Sequence, residues 1–292
     1  MSVEHPIVAV TGSSGAGTSS VRAAFEHIFW REKILPVTVQ GNSYHRYDRQ
    51  EMIGEVAKAQ AEGRILSHFG PEGNRFEELD ELLRGYGERG TGRRRYYLHS
   101  REDAERWQQA PGTFTPWEEL PTGSDLLLYE GLHGGLVTPT VNIARHVDLL
   151  IGVVPIVNLE WIQKIHRDTS ERGYSPEAVT DTILRRMHDY LHYITPQFSR
   201  THINFQRIPT VDTSDPFISR EVPSADESLV VIRFRDPRHQ DFLCLLKKIH
   251  DSFMSRPNTI VIPGGKMSFA MEIILMPLVH ELVQRSRGAR DR

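Results

Sequence analysis

The chain has 292 residues, 39% of them hydrophobic and 25% charged, the makeup of an ordinary soluble globular protein with one large α/β domain or two modest ones. A formal net charge of -3 gives no whole-chain pull toward nucleic acid or an anionic membrane, although 35 Lys and Arg leave room for a local basic site. The single cysteine, Cys244, excludes an intramolecular disulfide and a zinc cluster built on cysteines.

Taken from the N-terminus, MSVEHPIVAV lacks the basic and long apolar regions of a signal peptide, and no apolar run approaches the roughly 18 residues that span a bilayer. A reducing, cytoplasmic setting is therefore expected, with neither membrane nor nucleic acid as partner. Ile7 to Val10 reads as a strand, followed at once by a Gly-rich loop and by helical periodicity at Val21, Phe25 and Phe29. A second strand is expected over Leu35–Val39 and a helix over Gln50–Ala61. The weakly periodic stretch from Gly63 to Gly123, rich in Gly, Arg, Glu and aromatics, predicts mixed structure around a site. Asp125–Tyr129 and Val147–Val154 are continuous apolar runs, as parallel strands covered on both faces require. Helices follow over Asn158–Glu171 and Pro176–Ile194. Later strands are expected at Arg207–Asp212, Ser228–Phe234 and Asn258–Val261, and a last helix over Lys266–Ser286. The predicted class is α/β, three layers around a mostly parallel sheet, as one domain over 1–292.

Gly12-x-x-x-x-Gly17-Thr18-Ser19 follows the first strand directly and fits the phosphate-binding loop pattern, with Thr18 where Lys is usual. Glycines let successive N–H groups turn toward an anion, and the next helix adds its N-terminal positive end. Gly12, Ser13, Ser14, Gly15, Ala16, Gly17, Thr18 and Ser19 are accordingly the expected ATP site, with the Ser19 hydroxyl on Mg²⁺. Without the lysine, another cation must neutralise the β/γ-phosphates. Glu130 ends the Asp125–Tyr129 strand, where an acid can hold Mg²⁺. Lys164, Arg167, Asp168 and Arg172 lie along one helix face. Alone that spacing describes a solvated charged face; beside a phosphate loop it supplies guanidinium groups for a moving phosphoryl group. Arg93-Arg94-Arg95-Tyr96-Tyr97 has the basic-aromatic look of a nucleic-acid patch, but a sugar-phosphate site explains it better in a chain of negative net charge.

Val10-Thr-Gly-Ser-Ser-Gly-Ala-Gly-Thr-Ser19, His45-Arg-Tyr-x-Arg49, Tyr129-Glu-Gly-Leu-His133, the run from Val153 to Asp168, Thr195-Pro-Gln-Phe-Ser199 and Asn204-Phe-Gln-Arg207 resemble the proteobacterial phosphoribulokinases, nearly end to end. That family shares the Thr at position 18. The resemblance implies a P-loop kinase fold with a lid at about 158–175. The activity it implies is ATP-dependent phosphorylation of D-ribulose 5-phosphate at O1, within the Calvin cycle. It implies Ser19, Glu130 and Asp168 at the metal, and Lys164 and Arg167 on the transferring group. Arg31, His45, Arg49, Tyr97, His99, His133 and Arg172 would meet the sugar phosphate. It also implies a homo-oligomer, expected to be an octamer, activated by NADH and inhibited by AMP through Arg185, Arg186, Arg233 and Arg256.

One position departs from the family. Gly41-Asn42-Ser43-Tyr44-His45-Arg46 has Asn42 where the resemblance implies an Asp acting as general base. An amide can orient a hydroxyl but cannot take its proton. The sequence leaves open an impaired kinase, rescue by Asp48, Asp168 or His45, a related kinase acting on another small alcohol, and a nucleotide-binding regulator with weak catalysis.

Overall fold

The computed structural model describes residues 4–12, 18–170, 173–219, 221–238 and 240–290. In chain order the elements are β1 (Ile7–Gly12), α1 (Thr18–Glu32), β2 (Pro36–Gln40), α2 (Arg49–Ala61), α3 (Phe76–Arg89), β3 (Arg93–Arg94), α4 (Arg101–Trp107), β4 (Glu118–Glu119), β5 (Leu126–Gly131), β6 (Leu149–Pro155), α5 (Val157–Ser170), α6 (Pro176–Arg185), α7 (Met187–Asp189), β7 (Ile203–Pro209), β8 (Ser228–Phe234), α8 (Phe242–Lys248), β9 (Phe253–Arg256), β10 (Thr259–Pro263) and α9 (Met267–Arg290).

Eight strands form one sheet in the order β2-β5-β1-β6-β7-β8-β10-β9, and β3 and β4 pair separately. The pairings from β2 to β7 are parallel; those of β7 with β8, β8 with β10 and β10 with β9 are antiparallel. Alternation along the strands splits the apolar residues between two cores. Val8, Val10, Leu126 and Leu128 join the core under α1 and α9, while Ile7, Ala9, Leu127 and Tyr129 join the core under α3. The continuous apolar runs of β1, β5 and β6 thus have a cause: both faces are covered, giving helix, sheet and helix layers.

Several expectations change. The strand expected at Arg207–Asp212 lies at Ile203–Pro209, where the alternation of buried Ile203 and Phe205 sets it. The helix expected to continue from Pro176 to Ile194 ends at Arg185 and is followed by α7 and a π turn over Tyr190–Ile194. Pro196 follows the π turn by two residues; it lacks an N–H and its ring crowds the carbonyl four residues earlier, which favours a widened turn there over regular α-helix. The final helix extends to Arg290 rather than stopping at Ser286. Against the expectation of no membrane-length apolar run, α9 is long and apolar enough to cross a bilayer by length and composition. Its Ala270, Met271, Ile274, Leu275, Val279 and Val283 are buried in the core it shares with α1, which accounts for that apolarity in a packed helix.

Candidate active site

Parallel strands gather their carboxyl ends on one edge of the sheet, and the predicted chemistry collects there. Gly12 closes β1 so near β6 that a Cβ would stand 2.2 Å from the Val153 carbonyl oxygen; only glycine fits. Ser13, Ser14, Gly15, Ala16 and Gly17 lie outside the described residues, and Thr18 and Ser19 are described only as the start of α1. One strand over, Gly41 after β2 and Gly131 in β5 approach so closely that a Cβ on Gly131 would lie 2.7 Å from Gly41 Cα. That contact brings the Asn42 turn beside the end of the strand carrying Glu130, itself paired across to Gln40.

Glu130 is half-buried at the rim of a cleft of about 320 Å³ whose walls include Arg22, Phe25, Phe29, Thr38 and Gln40. Burial raises its carboxyl pKa, and Arg22 opposes the shift. A partly desolvated carboxylate at a strand end is suited to a divalent cation. Among the described residues no group of three His, Cys, Asp or Glu could hold a metal.

Asn42 sits in a tight turn, Gly41–Tyr44, with its Nδ2 in contact with His99 Nε2. Its Oδ1 is buried and has no hydrogen-bond partner among the described residues. Around this turn the structure brings together His45, Arg49, Tyr97 and His99. Tyr97 meets His45 and His99 edge-on at 6.4 and 4.7 Å between ring centroids. Arg49, in the first turn of α2, donates to the His99 carbonyl at 3.0 Å. His133 belongs to the same group but only 2% of it is exposed. Its Nε2 donates to the Phe69 carbonyl at 3.0 Å, and burial depresses its pKa to about 3, so it is a neutral ring supporting the cluster from beneath.

On α5 the i, i+4 spacing joins Lys164 Nζ to Asp168 Oδ2, and Arg167 Nε donates to Asp168 Oδ1 at 3.1 Å. Asp168 is 4% exposed. Burial lowers the Lys164 pKa, and Asp168 pulls it back up. Arg172 lies outside the described residues. Asp168 is thus paired, and Asp48 is engaged as the N-cap of α2, accepting from the backbone N–H groups of Gln50 and Glu51 at 2.8 and 2.9 Å. Neither carboxylate is placed as a ready substitute base.

The Arg-rich stretch is occupied internally. Arg94 pairs with Glu118 at 2.9 Å and donates to the Thr38 carbonyl. Arg95 donates to the carbonyls of Ser43 and His45 at 2.8 and 2.7 Å and lies 3.6 Å from the Phe114 ring centroid. Arg95 therefore staples the Asn42 turn, while Arg93 stays at the surface beside Glu119.

Sequence reasoning missed Asn74, His68 and Gln197. His68 stacks on His45 at 4.4 Å. Gln197 donates to the Leu132 carbonyl at 2.8 Å and accepts from Gly135 N and Thr11 Oγ1, tying the β1 end to the loop after β5. Short polar residues in irregular segments carry no periodicity, so only Gln197, within Thr195-Pro-Gln-Phe-Ser199, had any signal.

Arg31 is not brought to the cluster. It lies at the opposite end of α1, about 20 Å of helix from Thr18, and pairs with Glu272 of α9 at 3.8 Å. Arg185 pairs with Asp181 at 3.1 Å, whereas Arg186 acts electrostatically on Lys164, His45 and His68. Arg233 and Arg256 both pair in register with Thr259, which puts them on one face of the antiparallel strands.

Residues 7–214 match the model of the phosphoribulokinase / uridine kinase family. The chain is 61% identical over 290 residues to the chromosomal phosphoribulokinase of Cupriavidus necator, covering 99% of both chains. It is 57% identical over 284 residues to a probable phosphoribulokinase of Escherichia coli K12, covering 97% of this chain and 98% of that one. A solved phosphoribulokinase from Rhodobacter spheroides superposes with a TM-score of 0.91 at 53% identity, covering 98% of this chain and all of that one.

Proposed function

The chain belongs to the phosphoribulokinase / uridine kinase family, a phosphoribulokinase of the P-loop kinase superfamily, and we propose that it transfers the γ-phosphoryl group of ATP to O1 of D-ribulose 5-phosphate. The observation that carries the reading is the group His45, Arg49, Tyr97 and His99, which lines the turn at the end of β2 one strand from Glu130. Hydrogen-bonding rings beside a guanidinium suit a phosphorylated polyol better than an uncharged alcohol such as a nucleoside.

The acceptor hydroxyl oxygen bonds to the γ-phosphorus as the bond to the β-phosphate oxygen breaks, leaving ADP. Lys164 and Arg167 neutralise charge on the transferring group; the phosphate loop and Arg172 complete the clamp. Glu130, Ser19 and Asp168 would hold Mg²⁺, which supplies neutralisation of the nucleotide phosphates when bound. The hydroxyl proton must also leave, and Asn42 has no basic site for it. Loss of a general base costs about 10²–10⁴-fold in rate. Positioning and charge neutralisation remain, so binding is retained and turnover is low. The lid is read as about 158–175 in one kinase domain over 1–292. A cytoplasmic homo-oligomer responding to NADH and AMP completes the reading, and the Calvin cycle is its setting.

The test is ATP-dependent formation of ribulose 1,5-bisphosphate with Mg²⁺ and NADH, comparing the chain with Asn42→Asp after both masses are checked. Rapid turnover of the Asp variant alone supports the reading. Equal activity assigns the proton to another residue, and no activity in either removes the proposed substrate.

A further inference from the structure

Asn74, in the loop before α3, is 1% exposed and its side chain is fully engaged. Nδ2 donates to the carbonyls of His68 at 3.0 Å and Gly70 at 2.7 Å. Carbonyl oxygens only accept, so these two bonds identify the amide nitrogen from its surroundings. The other atom, Oδ1, carries no proton and lies 2.8 Å from His45 Nδ1. His45 must therefore donate through Nδ1. The backbone fixes this geometry. His45 and Asn74 form an antiparallel bridge, Arg46 N donates to the Gly73 carbonyl at 2.9 Å, and Arg75 N donates to the Tyr44 carbonyl at 2.8 Å. The Arg46 guanidinium closes it from the side by donating to the Asn74 carbonyl at 3.0 Å.

The ring so held is neutral. It stacks on His68 and meets Tyr97 edge-on; His99, Arg95 and Arg186 each disfavour a positive charge on it, and the buried rings of His68 and His133 act on it electrostatically as well. Burial, the largest cause, lowers its pKa to about 4. With the proton on Nδ1, a neutral imidazole has its lone pair at Nε2.

We propose that Asn74 is a positioning residue that holds His45 as the Nδ1–H tautomer, so that His45 Nε2 accepts a hydrogen bond from a hydroxyl of the acceptor sugar and does not serve as a cation for its phosphate. The inference rests on the sugar-phosphate reading above. The phosphate then falls to guanidinium groups, which stay charged at every working pH. An acceptor built to meet a hydroxyl discriminates against analogues lacking it.

The full chain, labelled with ¹⁵N-histidine and assigned through His45→Gln, tests this by long-range proton–nitrogen correlation. Expected is a protonated-type Nδ1 and a lone-pair-type Nε2 throughout pH 6–8. Adding D-ribulose 5-phosphate moves Nε2, and adding inorganic phosphate does not protonate it. Asn74→Asp loses both donations to the His68 and Gly70 carbonyls and sets a carboxylate beside Nδ1, which stabilises an imidazolium, so His45 titrates at higher pH. In the Asn42→Asp background that change raises KM for the sugar phosphate about tenfold and makes it pH-dependent, with a smaller effect on kcat. A protonated Nε2 in ligand-free protein at pH 7 overturns the tautomer assignment whatever the substrate is. The expected tautomer with no response to D-ribulose 5-phosphate overturns the hydroxyl contact. Failure of all phosphoryl transfer counts against the kinase reading alone, because the tautomer is read without turnover.

Discussion

The five strands from β2 to β7 run parallel and the three beyond β7 run antiparallel, and the candidate chemistry divides along the same line. In the parallel half every strand delivers its carboxyl end to one edge, so Gly12 at the end of β1, the Asn42 turn, Glu130 and the start of α5 gather there without any long-range design. In the antiparallel half successive ends alternate and no edge collects them. What that half contributes is a core: Val230, Ile232, Ile260 and Ile262 are buried with α9. The family match, residues 7–214, ends after β7 and before β8. Mutations on the two sides should therefore differ in kind, those in the parallel half moving turnover and those in the antiparallel half moving regulation or stability.

The largest effect belongs to Asn42→Asp, with turnover rising about 10²–10⁴-fold as the proton gains an acceptor. In that restored background, Lys164→Met should lower kcat about 10²–10³-fold, the usual loss when one donor to the developing charge is removed. It should leave the thermal midpoint nearly unchanged if Asp168 keeps its bond from Arg167. A fall in stability with unchanged kcat would make the helix pair a packing device and break the division.

Next is Arg95→Ala, which removes two bonds to the carbonyls of Ser43 and His45 and the stacking on Phe114. Charged donors and a partly desolvated cation–π contact together suggest about 2–4 kcal/mol of stability. Chemical denaturation reads it, and KM for the sugar phosphate should rise as the Asn42 turn loosens.

The pH dependence comes from the same half. The pKa of His133 is lowered to about 3 in the folded chain against roughly 6.5 unfolded. Between these values only the unfolded state binds the proton, so stability is complete above about pH 6.5 and falls as pH drops toward 3. At pH 5 the loss for this ring is on the order of 2 kcal/mol, with His45 adding in the same direction. The midpoint should fall by several degrees from pH 7 to pH 5. His133→Gln, which keeps a donor for the Phe69 carbonyl, should flatten that slope.

These effects also mark what the sequence could reveal. The parallel half was readable because its signals are local: a continuous apolar run for a twice-covered strand, a Gly-rich loop before a helix, an i, i+4 Lys–Asp pair. The resemblance added the acceptor side, His45, Arg49, Tyr97 and His99, which the fold brings together. Asn74 and His68 were invisible because they act through contacts among irregular segments, with neither spacing nor charge to announce them. Arg95 was seen as part of a cationic cluster, but only packing reveals that it faces inward. In the antiparallel half α8 and β9 were missed; each is short, seven and four residues, and too brief to show a period.

The smallest expected effect tests the quiet half. Arg256 is exposed on β9 and shares a face with Arg233, whose guanidinium donates to the Phe198 carbonyl at 2.9 Å. Two cations flanking one threonine suit an anionic effector, and removal of an exposed side chain shifts stability by only about 0.5 kcal/mol or less. Arg256→Ala in the Asn42→Asp background should therefore keep its stability and its activity without effector, and lose the rise in activity on adding NADH. A drop in effector-free kcat would place Arg256 in the catalytic machinery, and the boundary at β7 would no longer separate chemistry from its control.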